Sequence, residues 1–235
     1  MGKREVSTEQ KRASEKRKEV DNRLVLKCFE YIKNIGSPVV VEVGGCTGVF
    51  MENIKRVNGN TEFYIIEPFK KNIDVLKDKF PDSKIFEGIA YSMKCSIDLF
   101  IPEQKSKKHK PIDCSIYRES SSKNNASIKG VVKVNADTLT KIYGWFNVSK
   151  VDLLSMNCEG GEYDIFVAED LGFLELTNAI LLHMHTKCRL FLGAEYEDRR
   201  RDIVKVLQSR GFHMEDGMTD MKALAHVVQL WKKTD

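Results

Sequence analysis

The sequence predicts an α/β fold: a mostly parallel sheet with helices on both faces and a C-terminal antiparallel hairpin. Three observations carry this. Short apolar runs that read as buried strands, 39–43 and 63–66 foremost, alternate with segments of helical spacing, and that order demands crossovers and parallel neighbours. The first run leads through a turn holding Gly44, Gly45 and Gly48 into helical residues, the pattern of a strand, a tight loop and a helix start. Near the end, 212–214 and 223–231 are two apolar segments close in sequence, which predicts a hairpin.

Length and composition agree. A chain of 235 residues suits one α/β domain with a sizeable core. Residues 23–235 are expected to form it, since no Pro/Gly/Ser-rich linker divides them. Residues 1–22 are crowded with Lys, Arg, Glu, Ser and Gln and are expected to be a polar arm, frayed or helical. A net charge of +4, with Glu5, Glu9, Glu15 and Glu19 diluting the arm, argues against a dedicated nucleic-acid binder. The six cysteines form no C-x-x-C pair, and there is no secretory signal or long apolar segment. Reduced thiols in a cytoplasmic protein without membrane insertion are the expectation.

Along the chain, Val20, Leu24, Cys28, Tyr31 and Ile35 keep helical spacing, and Gly36 and Pro38 end that helix. A helix over 49–57 follows the glycine turn and stops at Asn58-Gly59-Asn60. The second strand ends in Glu67-Pro68, and 70–80 form another helix. A third strand is expected over 84–91 and a hairpin strand over 97–101. Residues 102–130 break the rhythm with the basic run 105–110 and a small polar stretch, read as a solvated loop or as a lid that admits an acceptor. A short strand at 131–134 precedes a helix capped by Asp137 that ends near Gly144. A strand from 151 runs into polar residues up to 162, and another covers 179–185, with His183 and His185 on one face. A charged helix spans 196–210.

The glycine turn restricts its ligand. A dinucleotide loop wants G-x-G-x-x-G, but Cys46 occupies the second glycine position. The pattern that fits is acid-x-Gly-x-x-x-Gly, made by Glu42, Gly44 and Gly48. A carboxylate there repels a pyrophosphate and suits a ligand with positive charge, such as the sulfonium and ammonium of S-adenosylmethionine. The alternative is a plain turn between a core strand and a helix. Glu67 lies about twenty residues further on, where a neighbouring parallel strand delivers an acid to a ribose diol. Residues 88–90 lie where an adenine would be bordered.

Taken together, Glu42-Val-Gly-Gly-Cys-Thr-Gly48, Ile66-Glu67-Pro68, Val134-Asn-Ala-Asp137-Thr-Leu139, the 151–162 segment and Leu182-His-Met-His185 resemble the FkbM methyltransferases over about residues 38–190. The resemblance implies a Rossmann-like class I methyltransferase fold, S-adenosylmethionine as cofactor and mostly O-methylation. The expected acceptor is a small molecule of sugar or polyketide type. Gly45 and Cys46 replace the family's usual Ala-Asn, Ser155 its Lys, Asn157 its Asp and His183 its Glu, while Glu159, Gly160 and Glu162 are retained.

The expected cofactor residues are Glu42, Gly44, Gly45, Cys46, Gly48, Glu67, Pro68, Ile89, Ala90 and Asn157. Glu42 is assigned to the amino end and Glu67 to the ribose. The candidate bases are His185, Glu159 and His183. Each histidine also reads as a hydrogen-bonded core or rim residue, and Glu159 as a helix cap. No metal is expected, because Asn157 stands where a hard cation would want a carboxylate. Cys158 lacks a basic neighbour in sequence that would make it a nucleophile. Alternatives of other classes are a non-catalytic module of the same fold, an RNA-directed methyltransferase and an NAD-dependent oxidoreductase.

Overall fold

The computed structural model describes residues 8–102, 114–117, 128–185, 188, 192–215 and 226–233. The 105–110 basic run and the small polar stretch after it lie outside them. A central sheet of seven strands has the order β3-β2-β1-β7-β8-β10-β9. It is built from β1 (Val39–Val43), β2 (Glu62–Ile66), β3 (Lys84–Phe86), β7 (Val151–Met156), β8 (Thr177–His185), β9 (Phe212–Glu215) and β10 (His226–Lys233). The first five pair in parallel. The terminal hairpin is present with a topology that local pattern does not reveal: β10 inserts between β8 and β9, antiparallel to both.

Alternate residues of the strands feed two cores. Val41, Val43, Tyr64, Ile66, Leu154, Met156, Ile180 and Leu182 face one side. Val40, Phe63, Ile65, Leu153, Ala179 and Leu181 face the other. Burial on both faces is why these strands read as continuous apolar runs. Three helices cover the second face: α1 (Thr8–Lys33), α2 (Val49–Val57) and α3 (Lys70–Lys79). From α1 come Leu24, Cys28 and Ile32, buried at successive i+4 positions. The first core is covered by α4 (Leu139–Phe146), the short α5 (Glu162–Ile165) and α6 (Phe173–Leu176), and α7 (Glu195–Ser209).

The first helix runs unbroken for 26 residues from Thr8, the helical alternative for the arm, in keeping with the helix propensity of its Lys, Glu and Arg. Three local expectations are corrected. The strand expected over 84–91 divides into β3 in the main sheet and β4 (Gly88–Ala90) in a second, three-stranded sheet of order β4-β6-β5. The break falls at Glu87, just before Gly88, where a Cβ would lie 2.5 Å from the Asn135 carbonyl oxygen, so the backbones of β4 and β6 meet there. The hairpin partners are longer than their apolar cores suggest: β5 is Cys95–Pro102 and β6 is Ile128–Asp137, antiparallel. Lastly, Thr138 rather than Asp137 caps α4, its side chain accepting from the Lys141 N–H at 3.4 Å.

The chain runs outward from β1 through β2 to β3 and then returns to β7 and β8 on the other side. Strand order therefore reverses between β1 and β7, and the crevice beyond the carboxyl ends of those strands is where ligands of such sheets bind.

Candidate active site

At that reversal a cavity of about 420 Å³ opens, within the range of small-molecule sites. Among the described residues three carboxylates line it, those of Glu42, Glu67 and Glu159, and no Lys, Arg or His. Val49, Phe50, Leu99 and Ile116 supply apolar wall.

The floor is the glycine loop. Gly44 has φ +86°, and a Cβ there would sit 2.3 Å from the Asn157 carbonyl oxygen. The β1 and β7 chain ends thus close on each other with no room for a side chain. Cys46 takes φ 49° without being glycine. The Glu67 carboxylate holds it there, accepting the Cys46 N–H at 2.8 Å. The same carboxylate accepts from Phe69 N–H at 2.9 Å and from Asn72 Nδ2 at 3.1 Å. Burial raises the Glu67 pKa against these hydrogen bonds. Below the loop, Lys79 donates to the Thr47 carbonyl at 2.8 Å and pairs with Glu52 at 3.0 Å.

Glu42 is different. It is only 4% exposed, and its Oε2 has no hydrogen-bond partner. Burial pushes its pKa up to about 8, only partly offset by a hydrogen bond from Ser155. An orphaned acid lining a cavity floored by glycine is what a donor-bearing or cationic ligand requires.

Beyond β7 the chain turns sharply, with Glu159 at φ 50° and Gly160 at φ 108°. The Glu159 carbonyl accepts from Ser115 Oγ at 2.9 Å. Its carboxylate oxygen lies 3.6 Å from His185 Nε2. On the other side of the ring, Nδ1 is 2.9 Å from Glu162 Oε1, which also accepts the His185 backbone N–H at 2.8 Å. Burial alone would lower the His185 pKa, but the charge of Glu162, helped by Glu159, holds it up at about 10. Glu162, completely buried, is held below the usual carboxylate range because His185 and the hydrogen bonds outweigh that burial.

Of the residues expected from sequence, Glu42, Gly44, Gly45, Cys46, Glu67, Pro68, Ile89, Ala90, Asn157 and Glu159 all line the cavity. Gly48 does not. It begins α2 at φ +80°, and a Cβ there would meet the Phe80 ring at 2.5 Å. His183 and His185 are likewise outside the lining, and His185 stands behind Glu159. No group of three His, Cys, Asp or Glu suited to a metal occurs among the described residues. Sequence reasoning gave no role to Ser155, Asn72, Ser115, Lys79 or Glu162. Glu162 had a local signal, the retained Glu-Gly-Gly-Glu run; Asn72 reaches Glu67 from five residues on, while Ser155, Ser115 and Lys79 act through contacts distant in sequence.

The family model of the methyltransferase FkbM domain matches residues 42–214. No curated protein matches the sequence. Solved structures of similar outline include a TehB-like S-adenosylmethionine-dependent methyltransferase of Corynebacterium glutamicum, with 10% identity, TM-score 0.45 and coverage of 92% of this chain and 88% of that one. Aeropyrum pernix fibrillarin with natively bound S-adenosyl-L-methionine has 12% identity, TM-score 0.44 and coverage of 83% and 66%. An rRNA methylase of Streptococcus thermophilus has 7% identity, TM-score 0.45 and coverage of 89% and 95%. The matched span runs from the acid before the glycine loop to the next-to-last strand, most of the chain, which therefore belongs to the FkbM methyltransferase family, whose cofactor is S-adenosylmethionine.

Proposed function

We propose that this chain is an O-methyltransferase acting on a hydroxyl of a small uncharged acceptor of sugar or polyketide type. The observation that supports it most is the acid lining of the cavity: Glu42, Glu67 and Glu159 all reach it, and Glu42 brings an unpartnered buried oxygen. Such a site suits a cofactor that carries hydrogen-bond donors and positive charge. When bound, S-adenosylmethionine supplies a methyl carbon already activated by its sulfonium. Glu42 would receive the ammonium group on its orphaned oxygen. Gly44 and Gly45 let the backbone approach, and Glu67, while fixing the loop, retains acceptor capacity for a ribose hydroxyl. Holding the nucleophile in line contributes roughly 7–11 kcal/mol. Glu159, which lines the cavity, is the better-placed group to take the hydroxyl proton, and the histidines stand back from it. Residues 23–235 would form the catalytic unit, with 1–22 as an arm. The six cysteines, all free thiols, favour a reducing compartment such as the cytoplasm.

Isothermal titration with S-adenosylmethionine and S-adenosylhomocysteine tests the cofactor half; absence of binding to both would sink it. Methyl transfer measured on sugars, polyketide-like alcohols and RNA tests the acceptor half. Methylation confined to RNA, with affinity falling steeply in salt, would reverse the acceptor reading.

A further inference from the structure

We propose that His185 and Glu162 form a buried imidazolium–carboxylate pair whose task is to position Glu159 in the cavity. His185 is then a positioning residue rather than the base. The inference deepens the methyltransferase reading above and rests on it for the meaning of the cavity.

The geometry carries it. His185 is 1% exposed and Glu162 is fully buried. Both nitrogens of the ring face carboxylate oxygens, Nδ1 toward Glu162 at 2.9 Å and Nε2 toward Glu159 at 3.6 Å. Ionised carboxylates only accept, so a ring between two of them is best satisfied with a proton on each nitrogen. Such a ring has no lone pair with which to take a substrate proton, and it does not line the cavity. Glu162 is bound on every side: Oε1 takes the backbone N–H and Nδ1 of His185, and Oε2 takes the Gly160 N–H at 2.9 Å and the Cys158 thiol at 3.5 Å. The ring is therefore fixed by its own backbone and by the turn that carries Glu159. The charge of that fixed ring meets the Glu159 carboxylate. The backbone of Glu159 is held separately, in the left-handed region and by Ser115 Oγ. Cys158, Cys188, Tyr163 and Asp164 are the other titratable groups that feel the charge of the pair. Burial keeps both thiols neutral, so they do not compete for the ring's charge.

The test needs no acceptor. Histidine-labelled protein, with H185Q to assign the signal, should show both His185 ring nitrogens protonated from pH 6 to pH 8.5. In E162Q the ring should titrate close to the ordinary value of about 6.5. Carboxyl-labelled glutamate, assigned with E159Q, should show Glu159 titrating about 1–3 units higher in H185Q than in the parent. A neutral His185 ring at pH 7 in the parent, or a Glu159 titration unmoved by H185Q, overturns the proposal. Should E162Q fail to fold, the parent and H185Q still decide it. S-adenosylhomocysteine titrated into the same samples separates the two readings: lost binding in the parent condemns the cofactor site, whatever the ring signals show.

Discussion

Glu42 and Glu67 both end apolar strands, both line the cavity and both are 4% exposed, yet their situations are opposite. Glu67 is spent on the loop, whereas Glu42 keeps an unpartnered oxygen. Binding of a cation beside Glu42 must displace its proton at any pH below about 8. Affinity for S-adenosylmethionine is therefore expected to rise with pH up to that value and then level off. Glu42→Gln should flatten the dependence and weaken binding about ten- to hundredfold. Calorimetry across a pH series checks both outcomes. At the loop, Gly44→Ala meets the Asn157 carbonyl and an unfavourable φ together. It should cost about 1–3 kcal/mol, seen as a lower unfolding midpoint in denaturant. The positions of Glu42, Gly44 and Glu67 were legible in sequence because strand ends and glycine turns are local signals. The difference between the two acids was not, because Ser155 meets Glu42 from a neighbouring strand and the Cys46 N–H meets Glu67 from twenty-one residues back.

Helices and strands show the same division. The alternation of apolar runs and helical spacing identified β1, β2, α2, α3 and β7 nearly to the residue. It could not foresee that β10 would wedge between β8 and β9, since strand order follows from cross-sheet packing and not from local pattern. Nor could it separate β3 from β4, because the single residue Glu87 intervenes and both halves are apolar. The cap of α4 lay one residue from its expected place. Thr138→Ala should destabilise the chain by about 1 kcal/mol, lowering the melting temperature by roughly 2–4 °C, while Asp137→Ala should have the smaller effect of the two. Scanning calorimetry of both variants settles which residue caps. At the loop, Lys79→Met removes the contacts to Thr47 and Glu52. S-adenosylhomocysteine affinity should fall a few-fold, with little change in melting temperature, because half-exposed ion pairs contribute little to stability.

For the molecule as a whole, the buried ionisable groups set a pH profile. Glu42 in the folded chain keeps its proton between its ordinary value of 4.5 and about 8, where the unfolded chain has lost it. His185 does the same from 6.5 to about 10. Both bind more protons folded than unfolded, so stability falls as pH rises through those windows. Glu162 has the opposite sign and gives up its contribution as pH falls below the usual carboxylate range. The melting temperature should therefore decline from weakly acid conditions toward pH 10, and Glu42→Gln should melt a few degrees above the parent at pH 8–9. A series of thermal scans reads this directly. No helix among the described residues is long and apolar enough to cross a membrane.

The small sheet has one more implication, which follows from where it starts and stops. Its first strand and the last residues of its longest strand lie side by side, Gly88 against Asn135 and Ala90 against Asp137. Of the described residues between them, Leu99, Cys114, Ser115 and Ile116 reach the cavity wall. The two strands that bound this part of the chain are thus riveted together beside the site. Changes at Leu99 or Ile116 should therefore alter S-adenosylhomocysteine affinity, read by calorimetry, while Glu42 and the glycine loop stay as they are.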